Sequence, residues 1–220
     1  MTRTSASDLC DRYEQLYTGV VADVLDEYGY EDQTMDRHIE PLDDQMVAAG
    51  VAFPAHGRAN RSVDPDTQIR RFLEMLDDAP PESVLALHTR DTTSSHIGEL
   101  STLALLQRDC RGVVVHGGVR DTRFILEQEF PVFTRFKLPA DSVPRWELIE
   151  WGEPTVVGGV AVAPGDVVLA DVDGVVVVPE EVAEDVLSDA EEMTRTENEV
   201  RAAIRDGVAP PEAYDRYGTF

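Results

Sequence analysis

A chain of 220 residues is long enough to bury a substantial core as one sizeable domain, and its 43 acidic against 19 basic side chains leave a formal charge of -24. With 18 arginines, a single lysine and no basic stripe to neutralise phosphates, this composition argues against direct nucleic-acid binding and fits a halophilic, salt-adapted surface. No apolar run approaches a membrane span, the start Met1 to Asp8 lacks the apolar stretch of a signal peptide, and Cys10 and Cys110 have no paired spacing, so a cytoplasmic protein with reduced thiols is expected.

In chain order, Asp8 to about Leu16 reads as a helix with Leu9, Tyr13 and Leu16 on one face. Thr18-Gly19 interrupts it, and Val20, Val21, Val24 and Leu25 form a second apolar stripe that Gly29 stops. Asp23 and Asp26 in this second helix read as solvated or capping residues. Glu31 to Asp44 is polar and loop-like, and Met46 to Phe53 reads as a strand. Asp64-Pro65-Asp66 opens a helix carrying Ile69, Phe72, Leu73 and Leu76 on one face, ended by Asp77-Asp78-Ala79-Pro80-Pro81. Ser83 to Leu87 is the next apolar run, after which Thr92 to His96 forms a polar loop leading to Gly98. Leu100, Leu103 and Leu106 then form a buried helical stripe, which puts Gly98 to Ser101 at a helix N-terminus. Free N–H groups and the helix dipole there favour an anion.

The stretch Val113 to Asp121 is the centre of the chain. Its valines predict a strand buried on both faces, and Gly117-Gly118 permit a tight turn that delivers Arg120 and Asp121 to the strand's carboxyl end, where open α/β sheets bind small molecules. An arginine fork grips a carboxylate, and an aspartate can hold a hard cation such as Mg²⁺ that keeps its waters. The plainer alternative makes Asp121 a helix cap and Arg120 half of a surface ion pair. A helix from Thr122 to Gln128 and a strand from Val132 to Phe136 follow. From Thr155 onward come short valine-rich strands, with Gly158-Gly159, Pro164-Gly165-Asp166 and Asp171-Val172-Asp173-Gly174 as hairpin signals; the last lacks the remaining ligands of a calcium loop. A long helix after Pro179 carries Val182, Val186, Ala190, Met193, Val200 and Ile204, and Tyr214, Tyr217 and Phe220 close the tail. Dinucleotide, P-loop and methyl-donor signatures are absent.

The run His116-Gly-Gly-Val-Arg-Asp-Thr-Arg-Phe-Ile with Phe130-Pro131-Val132-Phe133 resembles the RraA-like family, which joins the regulator of ribonuclease activity A to the 4-hydroxy-4-methyl-2-oxoglutarate aldolases. The likeness continues through Gly98-Glu99-Leu100-Ser101, through Gly158 to Asp166 and through Ala170 to Val175, and covers roughly Gly19 to Gly207. It implies an α/β fold of the swivelling β/β/α type, one domain over 1–220 with N-terminal helices at 8–29, a core with a mixed central sheet at 46–178, and a C-terminal helix and tail at 180–220. It also implies a homotrimer or hexamer with sites between subunits, with Glu197 a loose match to an acidic residue supplied by the neighbour. An aspartate near Asp23 often lies close to the site in relatives.

The resemblance further implies a lyase in which Asp121 holds Mg²⁺ or Mn²⁺, Arg120 stabilises enolate charge, and Gly98, Glu99, Leu100 and Ser101 bind a carboxylate of a small 2-oxo acid. The reaction is cleavage of a 4-hydroxy-2-oxo diacid, decarboxylation of oxaloacetate, or both. A Schiff-base route has only Lys137, which the sequence sets away from the motifs, so metal is preferred. Two residues depart from the family's active pattern: Phe124 stands where an acid is usual, and His116 where aspartate is frequent. His116 reads either as a proton carrier or as a hydrogen-bonded strand-end residue. Of the other histidines only His96 sits near the motifs. The alternative function is a non-catalytic regulator that binds a ribonuclease or helicase partner.

Overall fold

The computed structural model describes residues 4–220; Met1 to Arg3, part of the start considered above, lie outside the described residues. Two helices, α1 (Ala6–Tyr13) and α2 (Thr18–Glu27), lead through a polar loop into a two-residue strand β1 (Glu40–Pro41) and the long strand β2 (Ala48–Ala59). Helix α3 (Pro65–Asp78) starts where expected, since Asp64 Oδ2 accepts the Thr67 N–H at 2.8 Å and Pro65 takes a position that needs no donor. Strands β3 (Ser83–His88) and β4 (Ser95–Ile97) precede α4 (Glu99–Leu106), β5 (Gly112–Val119), α5 (Thr122–Glu127) and β6 (Val132–Lys137). The chain continues with β7 (Trp146–Trp151), β8 (Thr155–Val157), β9 (Val160–Val162), β10 (Val167–Asp171), β11 (Gly174–Val178), α6 (Ala183–Arg205) and α7 (Pro210–Tyr217).

The main sheet is mixed, in the order β1-β6-β5-β3-β2-β10-β11, with β4 beside β5 and β7 beside β2. Strands β2, β3, β5 and β6 are parallel because a helix carries the chain back between each successive pair. Antiparallel β10 and β11 form the hairpin read from Asp171 to Gly174, and β8 pairs β9 in a separate ribbon. Alternation along the strands builds three apolar layers. Phe53, Leu85, Leu87, Val113 and Val115 face α3 and α4, whereas Ala52, Val84, Ala86 and Val114 face the β8-β9 ribbon. Val167, Leu169, Val176 and Val178 pack under α1, α2 and α6.

Several expectations change. Leu100, Leu103 and Leu106 are not a buried stripe: they are 76%, 39% and 37% exposed, and Ser101, Thr102 and Leu105 turn inward instead. Helix α4 is short and apolar on nearly every side, so spacing alone does not select its buried face. On α3 the inward residues are Gln68, Met75 and Leu76, leaving Leu73 exposed. Gly117-Gly118 are strand, not turn. Pro164-Gly165-Asp166 makes no hairpin but connects the ribbon to the main sheet, with the Asp166 carboxylate accepting the Ala163 and Glu180 N–H groups at 2.8 and 3.1 Å. Strand β7, which seals one end of the core with the fully buried Trp146, was not anticipated. No helix among the described residues is long and apolar enough to cross a membrane.

Candidate functional site

Strand β5 runs past the glycine pair to Val119. A Cβ on Gly117 would meet the Thr89 side chain at 2.4 Å, and one on Gly118 the Phe136 ring at 2.3 Å. The glycines therefore serve close packing, and the chain turns at Asp121, whose backbone is left-handed at φ 59°. Asp121 occupies the position ahead of α5 yet makes no side-chain cap bond. Its Oδ2 is turned toward α4, 3.4 Å from the Glu99 nitrogen, whose N–H donates to it, and 3.6 Å from Arg120 Nε. The plain alternative of a cap is thus set aside, and the ion pair holds only loosely.

These residues open on a cleft of about 240 Å³ between α3, α4 and the loop before β7. Gly98, Leu100, Ser101, Arg120 and Asp121 line it together with Ile69, Phe72 and Leu73 from α3 and Asp141 and Ser142 from the loop. Ser101 Oγ accepts the Gly98 N–H at 2.9 Å, which fixes the first turn of α4. The remaining N–H groups of that turn have no preceding helical carbonyl to bond. Glu99 contributes its backbone; its half-buried side chain reaches Gln128, at 3.5 Å. Arg120 lies between two carboxylates, its Nη1 3.8 Å from Asp141 Oδ1, so neither holds it in a bidentate clamp.

Asp141 and the pair Asp91 and His96 are the residues that motif reading missed or left incidental. His96 lines the cleft, its side chain is fully buried, and its Nε2 lies 3.4 Å from Asp91 Oδ2. Burial pushes the imidazole down to about 4 despite the neighbouring Asp91 and Asp141 carboxylates. Burial acts to raise Asp91, but hydrogen bonds from Ser94 and Thr93 outweigh it and hold the carboxyl below its usual range.

Lys137 corrects another expectation. It is opposite Val119 in the β5-β6 register and lines a shallow depression with Arg120 and Asp121, so it is not remote from the motif. It is nevertheless exposed, without the apolar enclosure that favours a nucleophilic amine. His116 lies outside the cleft, where its ring meets His88 at 4.6 Å, tilted by 48°, and its Nε2 is 3.3 Å from Asp36 Oδ2. That placement, in the middle of β5, matches neither a strand-end residue nor a proton carrier beside Asp121. Asp23 and Glu197 belong to the α2-α6 layer, with the Tyr17 hydroxyl donating to Glu197 and Arg201 Nη2 3.7 Å from it.

Among the described residues no three His, Cys, Asp or Glu side chains gather as a metal cage. A cation that retains most of its water needs only one or two carboxylates, and Asp121, 43% exposed in its side chain, suits such an ion. A dehydrated zinc-type site is not present among these residues.

A mixed sheet with helices outside it and an arginine-aspartate pair at the carboxyl end of a parallel strand define an α/β protein with a small, largely apolar cleft that holds a few charged groups. The sequence model of the RraA-like family, described as Aldolase/RraA, matches residues 6–177, and the chain belongs to this family. Protein DlpA of Legionella pneumophila is 27% identical over 198 residues, covering 90% of this chain but only 32% of that protein, so the chain spans about a third of that relative's length. A Halalkalibacterium halodurans protein named "Putative 4-hydroxy-4-methyl-2-oxoglutarate aldolase" is 28% identical over 210 residues, covering 94% of this chain and 93% of its own. In fold, the chain is similar to Streptomyces coelicolor RraAS2, described as an unusual member of the RNase ES inhibitor RraA protein family. The TM-score is 0.77 at 22% identity, with 91% of this chain and 98% of that one covered.

Proposed function

We propose that the chain is a divalent-metal-dependent lyase acting on 2-oxo acids. The reaction is retro-aldol cleavage of substrates like 4-hydroxy-4-methyl-2-oxoglutarate, oxaloacetate decarboxylation, or both, each yielding pyruvate. The observation that carries this reading is the convergence of Arg120, Asp121 and the first turn of α4 on one cleft. Asp121 would hold Mg²⁺ or Mn²⁺, and a bound cation supplies Lewis acidity that draws charge onto the 2-oxo oxygen. Arg120, gripped tightly by neither carboxylate, is free to pair with substrate carboxylate or enolate oxygen. The first-turn N–H groups of Leu100 and Ser101 offer a second anion subsite at the positive end of α4.

Exposed Leu73 and Leu100 stand at the mouth, an apolar rim that a neighbouring subunit would cover in a homotrimer or hexamer. The test is pyruvate release from oxaloacetate and from 4-hydroxy-4-methyl-2-oxoglutarate in high KCl, with Mg²⁺ and then with chelator. Release that depends on added metal supports the lyase; equal background rates in both conditions reject it. A partner-binding regulator is the second reading, favoured by Phe124, which is 51% exposed where an acid would support a metal site.

A further inference from the structure

The groups of the cleft that can bind an anion share one corner. A Cβ on Gly98 would lie 3.6 Å from Arg120 Nε and 2.6 Å from Asp121 Oδ2, and the Glu99 N–H donates to that same carboxylate. The first turn of α4, the guanidinium and the carboxylate therefore stand together. The wall supplied by α3 is different: Ile69, Phe72, Leu73 and Leu76 line it, and Val143 joins them from the loop before β7. Gln68, the one polar residue α3 adds, is buried, and its Oε1 accepts the Leu148 N–H at 2.9 Å. The arginines of α3 are engaged elsewhere. Arg70 pairs with Asp66 at 2.8 Å, and Arg71 donates to the Leu148 and Ile149 carbonyls at 3.3 and 2.9 Å.

Among the described residues that line the cleft, Arg120 is thus the single permanent cation, since burial pushes the His96 ring down to about 4 and keeps it neutral at pH 7. Arg120 and a divalent ion at Asp121, set against the Asp121 and Asp141 carboxylates, leave one net positive charge. That balance suits one substrate carboxylate. A second would press against apolar side chains, losing hydration that nothing there replaces.

We propose that the preferred substrate is a 4-hydroxy-2-oxo monoacid whose C4 carries an apolar group seated on Ile69, Phe72 and Val143; the inference rests on the lyase reading above and narrows it. The carboxylate and the 2-oxo oxygen take the charged corner, which gives both anion subsites there an occupant. The C4 substituent then lies along α3. Cleavage is redox-neutral: the C4 hydroxyl gives its proton to solvent, and its O–H electron pair becomes the carbonyl of a neutral ketone or aldehyde. The C3–C4 pair passes into pyruvate enolate, and solvent returns a proton to C3.

Two substrates that differ at one group test this. 4-Hydroxy-4-methyl-2-oxopentanoate carries a methyl where 4-hydroxy-4-methyl-2-oxoglutarate carries its second carboxylate. With Mg²⁺ in high KCl, kcat/KM is expected to be about 10-fold or more higher for the monoacid, with the diacid a slower substrate. Equal values, or a preference for the diacid, overturn the proposal and leave the lyase standing. A chain that releases pyruvate from neither, nor from oxaloacetate, removes both readings. Phe72→Ala and Val143→Ala should each lower the monoacid-to-diacid ratio by about 3- to 10-fold, a ratio that loss of folded protein does not alter. An unmoved ratio in both variants overturns the assignment of this wall. Binding without turnover gives an independent readout. In calorimetry, 4-methyl-2-oxopentanoate, which has no hydroxyl to lose, should bind the chain with Mg²⁺ about 10-fold or more tightly than 2-oxoglutarate does. Equal affinities, or tighter binding of 2-oxoglutarate, overturn the proposal.

Discussion

A Cβ on Gly98 would lie 2.6 Å from Asp121 Oδ2, so the bare backbone at the start of α4 is what lets that carboxylate lean across from β5. Gly98 has an extended backbone at φ -143°, which alanine adopts without strain. Gly98→Ala should therefore leave folding within about 1 kcal/mol, because the atom it displaces is the free end of a side chain. The same displacement should lower Mg²⁺ affinity or lyase rate by about 10- to 100-fold. Thermal unfolding and metal titration on one preparation check both halves; a large loss of stability would refute the assignment of Gly98 to the site.

Asp121 holds a left-handed backbone at φ 59° with its carboxylate 43% exposed. Glycine accepts that conformation freely, so Asp121→Gly should stabilise the chain by up to about 1 kcal/mol in urea unfolding. Lyase activity should fall to the level seen with chelator, and Asp121→Asn should do the same without the gain in stability. A variant that is destabilised and still active would mean that this aspartate serves the fold.

The glycine pair behaves oppositely. At Gly118 the added carbon would meet Phe136 Cε2 at 2.3 Å and the Ser94 carbonyl oxygen at 2.9 Å, and the latter is backbone that cannot rotate away. Gly118→Ala should cost about 1 to 3 kcal/mol as overpacking, read as a lower midpoint in urea. No change in the midpoint would show that the strand can slide to make room.

How much was legible follows from how local each signal is. The valine run and Arg120-Asp121 fall on consecutive positions, and Asp64-Pro65 caps its own helix, so β5 and α3 emerge from the sequence directly. The purpose of Gly117-Gly118 does not, because Thr89 and Phe136 arrive from neighbouring strands. Lys137 reaches the motif through the register that sets it opposite Val119, and His96 meets Trp146 across fifty positions of chain. Strand β7 carried a readable signal, Trp146 and Leu148 buried with Glu147 and Ile149 only partly so, but its alternation spans only six residues.

The buried histidines also set a pH response. His96 is lowered from 6.5 to about 4 by burial, and burial lowers His88 and His116 in the same direction. Above pH 6.5 both folded and unfolded forms are neutral at His96, and its full contribution is present. As pH falls from 6.5 toward 4 the unfolded chain binds protons that the folded chain refuses, so stability falls with falling pH across that window. For fully buried His96 the gap corresponds to roughly 3 kcal/mol. Asp36, held at about 2 by its hydrogen bonds with His38, releases its own contribution only in more acidic solution. Urea unfolding at pH 7, 5.5 and 4.5 should show the unaltered chain losing stability, and His96→Gln losing roughly 2 kcal/mol less between the first and last of these. Parallel pH profiles for the two proteins would mean that the ring takes up its proton in the folded state as readily as in water, and the closed setting of His96 would be wrong.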